Sequence, residues 1–127
     1  MFRFLQLLLV FGFCFTAFAV AHHSTAAVYF MDDEPITLKG TVTKVEWQNP
    51  HIWTYIDVTD ETGNVTNWEV EIQTNPARMY RAGWSKDSLK VGDAVTVEGL
   101  LPRNTDLNRV LNRSLILPDG RELGSRQ

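Results

Sequence analysis

Apolar and polar residues alternate most clearly between Ile52 and Thr59, where Ile52, Ile56 and Val58 share one face and Trp53, Tyr55 and Asp57 the other. A period of two predicts a strand with unlike faces. A second such run, Val65 to Thr74, sets Trp68, Val70 and Ile72 against Glu69, Glu71 and Gln73, one face buried and the other wet. Asp60-Glu61-Thr62-Gly63-Asn64 between them has the composition of a hairpin loop. Upstream, Thr37 to Gln48 is rich in β-branched residues, but Leu38 and Val42 lie on one parity and Val45 and Trp47 on the other. That change of phase predicts a bulge or sharp bend, which Gly40 would ease. Asn49-Pro50 ends the run.

The second Asn-Pro, at 75–76, opens an element instead of closing one. Ala77 to Ala82 suits a helix, with Asn75 as its N-cap, Pro76 at its first position and Gly83 at its end. Trp84 to Leu89 is expected to add a helical turn, and Lys90 to Asp93 turns the chain into a strand at Ala94–Leu100. A last strand spans Val110 to Leu117, and Pro118-Asp119-Gly120 leads to a short tail, Arg121 to Gly124, that can pair back on it. Ala26 to Pro35 shows no sustained period and reads as a lead-in or edge segment.

Three strands, a short helix and two strands, with the first strand bent, is the order of the OB-fold. A β-sandwich needs about seven strands and lacks the mid-chain helix. The fold class expected is therefore all-β with one short helix, an OB-like five-stranded Greek-key barrel. It occupies residues 37–124, behind a lead-in at 22–36.

The first 21 residues are of another kind, apolar except for Arg3, Gln6, Gly12 and Thr16. The run ends in Ala19-Val20-Ala21, the small-x-small pattern of a signal peptidase site. It is short for a span of about 20 residues and no basic stop-transfer cluster comes after it. A cleaved secretory signal at 1–21 is expected, with a periplasmic or secreted bacterial product that has no membrane span. Cys14, the only cysteine, leaves with it, so no disulfide supports the remainder. Arg3 is the only charge before Asp32, so the net charge of −3 becomes −4 on cleavage. That balance disfavours nucleic acid as a partner.

Only three histidines exist, His22, His23 and His51. Cleavage after Ala21 makes His22 the new terminus; cleavage after Ala19 leaves it third from the amine. Both place imidazole beside an α-amine whose pKa of about 7.7–8.0 lets a metal displace its proton at neutral pH. If the terminal segment folds back over the Asn49-Pro50-His51 turn, the imidazoles and the amine can meet around one ion. Such a nitrogen set suits Cu(II) or Ni(II), with Zn(II) also accommodated, and copper stands first in affinity. The metal ligands expected are His22, His23 and His51, with copper as cofactor or cargo. The spacing matches no standard zinc pattern, and a lone turn histidine often only bonds locally.

A second site class is aromatic. Trp47, Trp53 and Tyr55 flank the same turn and can hold a saccharide, a peptide or a partner protein without any metal. They can equally close one end of the barrel. Catalytic parts are missing: there is no mature cysteine, no Gly-x-Ser-x-Gly elbow and no glycine-rich phosphate loop. Glu69 and Glu71, with Gln73, fit an ordinary solvated strand face. A binding protein rather than an enzyme is expected.

Taken together, Ala21-His22-His23-Ser24, Gly40 to Trp47 with Asn49-Pro50-His51 and Trp53, Asn67-Trp68, Gly83-Trp84, Asp87 to Lys90 with Gly92-Asp93, and Leu117 to Arg121 form a recognisable set. The chain resembles a family of small exported bacterial proteins of unknown function. The resemblance implies a periplasmic or secreted setting and a compact β-rich domain, and it supplies no functional residues.

Overall fold

A computed structural model describes residues 24–124. The expected signal segment at 1–21, Cys14, His22 and His23 lie outside the described residues. Six strands form one sheet: β1 (Ile36–Glu46), β2 (Ile52–Thr59), β3 (Val65–Ile72), β4 (Ala94–Leu100), β5 (Arg109–Ile116) and β6 (Glu122–Gly124). Their order is β3-β2-β1-β4-β5-β6, and a parallel pairing of β3 with β5 closes the first five into a barrel. Closure removes the exposed edges that an open sheet of this size would leave. β5 divides one edge between two neighbours, β3 along Arg109–Leu111 and β6 along Ser114–Ile116.

β1 is bent as its change of phase predicts, with the register slipping between Val42 and Lys44. Before the slip Leu38 and Val42 point inward; after it Val45 and Trp47 pack against the core. Gly40 has a tighter reason than bending. A Cβ there would stand 2.6 Å from the carbonyl oxygen of Asp57 on β2. The interior is filled by Ile52, Ile56, Val70, Ile72, Val97, Val110 and Leu115, all essentially inaccessible to solvent.

The hairpin between β2 and β3 is locked by Asp60. Its Oδ1 accepts from the backbone N–H groups of Thr62 (2.8 Å) and Asn64 (3.0 Å) and from the Thr62 hydroxyl (2.6 Å). The hydroxyl bond and the Asn64 N–H lower its pKa to about 2. This loop fixes Thr59 opposite Val65, and every later rung is set by it, down to Ile52 opposite Ile72.

Among the described residues there are two helices where one was expected: α1 (Ser24–Val28), which runs into the stretch without period, and α2 (Pro76–Arg81). Asn75 caps α2 by accepting from Arg78 N–H at 3.0 Å, and Met79 is buried in the core. Asn75→Ala is expected to lower stability by about 1 kcal/mol, read as a shift of the denaturation midpoint without change of slope. Trp84–Leu89 forms a single hydrogen-bonded turn and no helix: Ser88 N–H donates to Ser85 O (3.0 Å), the Ser85 hydroxyl accepts from Asp87 N–H (3.3 Å) and the Ser88 hydroxyl from Ser85 N–H (2.9 Å). No helix among the described residues is long and apolar enough to cross a membrane.

Candidate functional site

The outer faces of β2 and β3 carry the chemistry. Antiparallel pairing places Trp53 opposite Glu71 and Tyr55 opposite Glu69. His51 immediately precedes β2 and shares the parity of Trp53 and Tyr55. The Asn49–Pro50 bond just before it is cis.

Glu71 is not solvated. It is 7% exposed, because α1 and the residues after it lie across this end of the face. Tyr29, 1% exposed, donates its phenol proton to Glu71 Oε2. His51 Nδ1 lies 2.7 Å from Glu71 Oε1. One buried carboxylate thus serves a phenol and an imidazole. A carboxylate only accepts, so in the neutral ring the proton sits on Nδ1 and the lone pair on Nε2. Nε2 has no hydrogen-bond partner among the described residues, and the His51 side chain is 36% exposed. Burial, and then the bond to Glu71, raise the Tyr29 pKa well above the usual phenol range, so Tyr29 remains a donor.

Several contacts hold the segment in place. Tyr29 pairs with Pro102 in an isolated bridge and packs with Leu100 and Leu111, with Met31 against them. Phe30 N–H donates to Leu101 O (3.1 Å), Arg103 N–H to Val28 O (2.8 Å) and Arg103 Nε–H to Ala26 O (2.8 Å). Gln73 Nε2 donates to the Thr25 hydroxyl at 3.1 Å. Gln73 comes directly after Ile72 as His51 comes directly before Ile52, so Thr25 is anchored beside the histidine turn.

Next along the face, Arg109 bonds Glu69 Oε2 through Nε (2.6 Å) and Nη2 (2.5 Å), and its guanidinium lies 4.9 Å from the Trp53 ring centre. Lys44 lies 5.0 Å from the Tyr55 ring centre and 2.5 Å from Glu46, and the Tyr55 hydroxyl donates to Glu46 at 3.1 Å. Trp53 and Tyr55 therefore share a half-buried face on which each ring already carries a cation. Trp47 goes elsewhere. It packs on the core and meets Tyr80 edge to face at 5.8 Å.

Residues 12–110 match a family described as a family of unknown function, DUF6152. The chain belongs to this family. No curated protein and no solved structure matches it. The matched stretch of this DUF6152 member takes in His22, His23, Tyr29, His51, Glu71 and Arg109.

Of the expected metal ligands, His51 stands at the site and His22 and His23 fall outside the described residues. No group of three or more His, Cys, Asp and Glu side chains that could hold a metal occurs among the described residues. Tyr29 and Arg109 were not singled out from sequence, and Glu71, expected with Glu69 and Gln73 on a solvated face, is instead buried. A usable signal existed. A five-residue loop at 60–64 sets Thr59 opposite Val65, and counting back along both strands brings His51 diagonal to Glu71, within reach of a long side chain.

Proposed function

We propose that this is an exported binding protein that holds a transition metal, copper by preference, through His51 and the histidines and amine of a processed N-terminus, as a carrier or sensor rather than a catalyst. The observation that carries this is the buried Glu71 carboxylate on His51 Nδ1. A carboxylate behind a histidine fixes ring orientation and tautomer and raises the basicity of the other nitrogen, as it does behind metal-bound histidines generally.

Chain geometry supports the remaining ligands. Thr25 is tied to Gln73, and His23 precedes it by two residues, at most about 7 Å of chain. A link that short allows His22 and His23 to reach the imidazole that Glu71 orients. Three or four nitrogens at one ion suit a tetragonal Cu(II) centre. The apolar run at 1–21, ending in Ala-Val-Ala, supports export and the release of that amine.

The test uses the exported protein, with its N-terminus identified by mass. One equivalent of Cu(II) is expected to quench Trp fluorescence and raise the melting temperature, and His51→Ala to weaken binding at least tenfold. A terminus downstream of His23, or binding that His51→Ala leaves unchanged, overturns the proposal. Retention of a glycan or peptide by the copper-free protein, lost in Trp53→Ala, would then favour the aromatic face as the binding surface.

A further inference from the structure

We propose that the connection between β3 and β4, residues 76–92, is a docking surface for an anionic phospholipid bilayer, with Arg78, Arg81, Lys86 and Lys90 as its charges and Tyr80 and Val91 as its apolar tips. This surface shares no residue with the copper site and does not depend on it.

The connection lies against the barrel because its large apolar residues are anchored inward at regular intervals. Met79 and Leu89 are buried in the core, and Trp84, midway between them, packs against it. Trp84 N–H also donates to Met79 O at 2.9 Å. Anchors at 79, 84 and 89 turn much of the intervening chain to solvent. Arg78, Tyr80, Arg81, Lys86, Lys90 and Val91 are all exposed, Tyr80 by 53% and Val91 by 68%. Two large apolar side chains so far out of the core call for a contact beyond this chain.

The charge runs against that of the whole protein. The stretch sets its four cations against one carboxylate, Asp87, in a chain of formal net charge −3. Lys44, Arg109 and Arg121 are each bonded to a carboxylate, but the four cations here bond none among the described residues. Arg78 and Arg81 complement the C-terminal end of α2, which accounts for two of the four. Lys86 and Lys90 lie beyond the helix and have no such role. Separate cations on long stems, with a tyrosine beside them, suit a fluid anionic surface, which asks for charge and amphipathic tips but no fixed shape. Each cation brought to such a surface strengthens binding about fivefold. The acidic remainder of the protein is repelled, so the barrel docks in one orientation, and export would carry it past such a surface.

Co-sedimentation with vesicles tests this on the exported protein. Binding is expected to vesicles of equal parts phosphatidylglycerol and phosphatidylcholine, not to phosphatidylcholine alone, and is expected to vanish in about 1 M salt, where charges are screened within about 3 Å. The double variant Arg78→Gln/Arg81→Gln is expected to bind about twentyfold more weakly, and Lys86→Gln/Lys90→Gln by a similar factor. Lys39→Gln/Arg113→Gln removes the same charge from β1 and β5 and should stay within about twofold of the parent. His51→Ala is expected to bind vesicles as the parent does.

A parent protein that ignores anionic vesicles, or binds neutral ones equally, overturns the proposal. So does an equal loss in the Lys39/Arg113 variant, which would mean that overall charge and not this surface governs binding. Capture of poly-glutamate by a parent that ignores vesicles, lost in the Arg78/Arg81 variant, overturns it in favour of an acidic protein partner. The lipid and salt comparisons need no substitution, so they decide the matter even if a variant fails to fold.

Discussion

Glu71→Ala is expected to lower the stability of the barrel by about 1–3 kcal/mol, because it strands a buried hydroxyl as well as deleting an acceptor. Tyr29 is 1% exposed, and its phenol has no other acceptor among the described residues. A domain of this size has only about 5–15 kcal/mol in total, so the change is plain in a denaturant titration. Glu69→Ala is the control, one rung along the same strand face. Its partner Arg109 stays partly solvated, and the loss should be under about 1 kcal/mol. Equal effects at the two positions would mean that Glu71 behaves as another surface carboxylate. The same substitution is expected to weaken Cu(II) binding about 10–100-fold, the usual cost of removing the group behind a ligating histidine. Glu71→Gln should retain more stability than Glu71→Ala while still losing affinity, since the amide keeps the shape but not the charge.

The second large effect is at Gly40. Its absent Cβ would lie 2.6 Å from the Asp57 carbonyl oxygen and 3.2 Å from Val58 Cγ2. The carbonyl belongs to the β1–β2 ladder, where Thr41 pairs with Asp57, so it cannot retreat without lengthening ladder bonds. Gly40→Ala is expected to cost about 2–3 kcal/mol through this overlap. Lys39→Ala, exposed on the same strand, should change stability by less than about 0.5 kcal/mol. A neutral Gly40→Ala would show that β1 and β2 can move apart at this point.

The barrel was legible because its signals are local. Alternation in β2 and β3, the Asp60 loop between them and the Asn75-Pro76 helix start are each contained in a few neighbouring residues. The bulge in β1 was legible for the same reason, as a change of phase within eleven residues. Gly40 was noticed but for a weaker reason, since a close approach by the next strand leaves no mark on the residues around the glycine. The candidate site was legible only in part. His51 stood out by rarity. Glu71 did not, because alternation says which face a residue occupies and not what covers that face. Its cover comes from Tyr29, forty-two positions earlier, in a stretch whose short helix and single buried ring have no period to detect.

On the proposed function, His51, oriented by Glu71, shares one copper ion with nitrogens from the processed N-terminus. The most direct test is pulsed EPR on the exported protein loaded with one equivalent of Cu(II), beside His51→Ala prepared identically. Remote-nitrogen modulation from more than one imidazole is expected in the parent, and the loss of one such contribution in the variant. Superimposable spectra from the two proteins, or copper that remains in solution, would contradict this shared ligation.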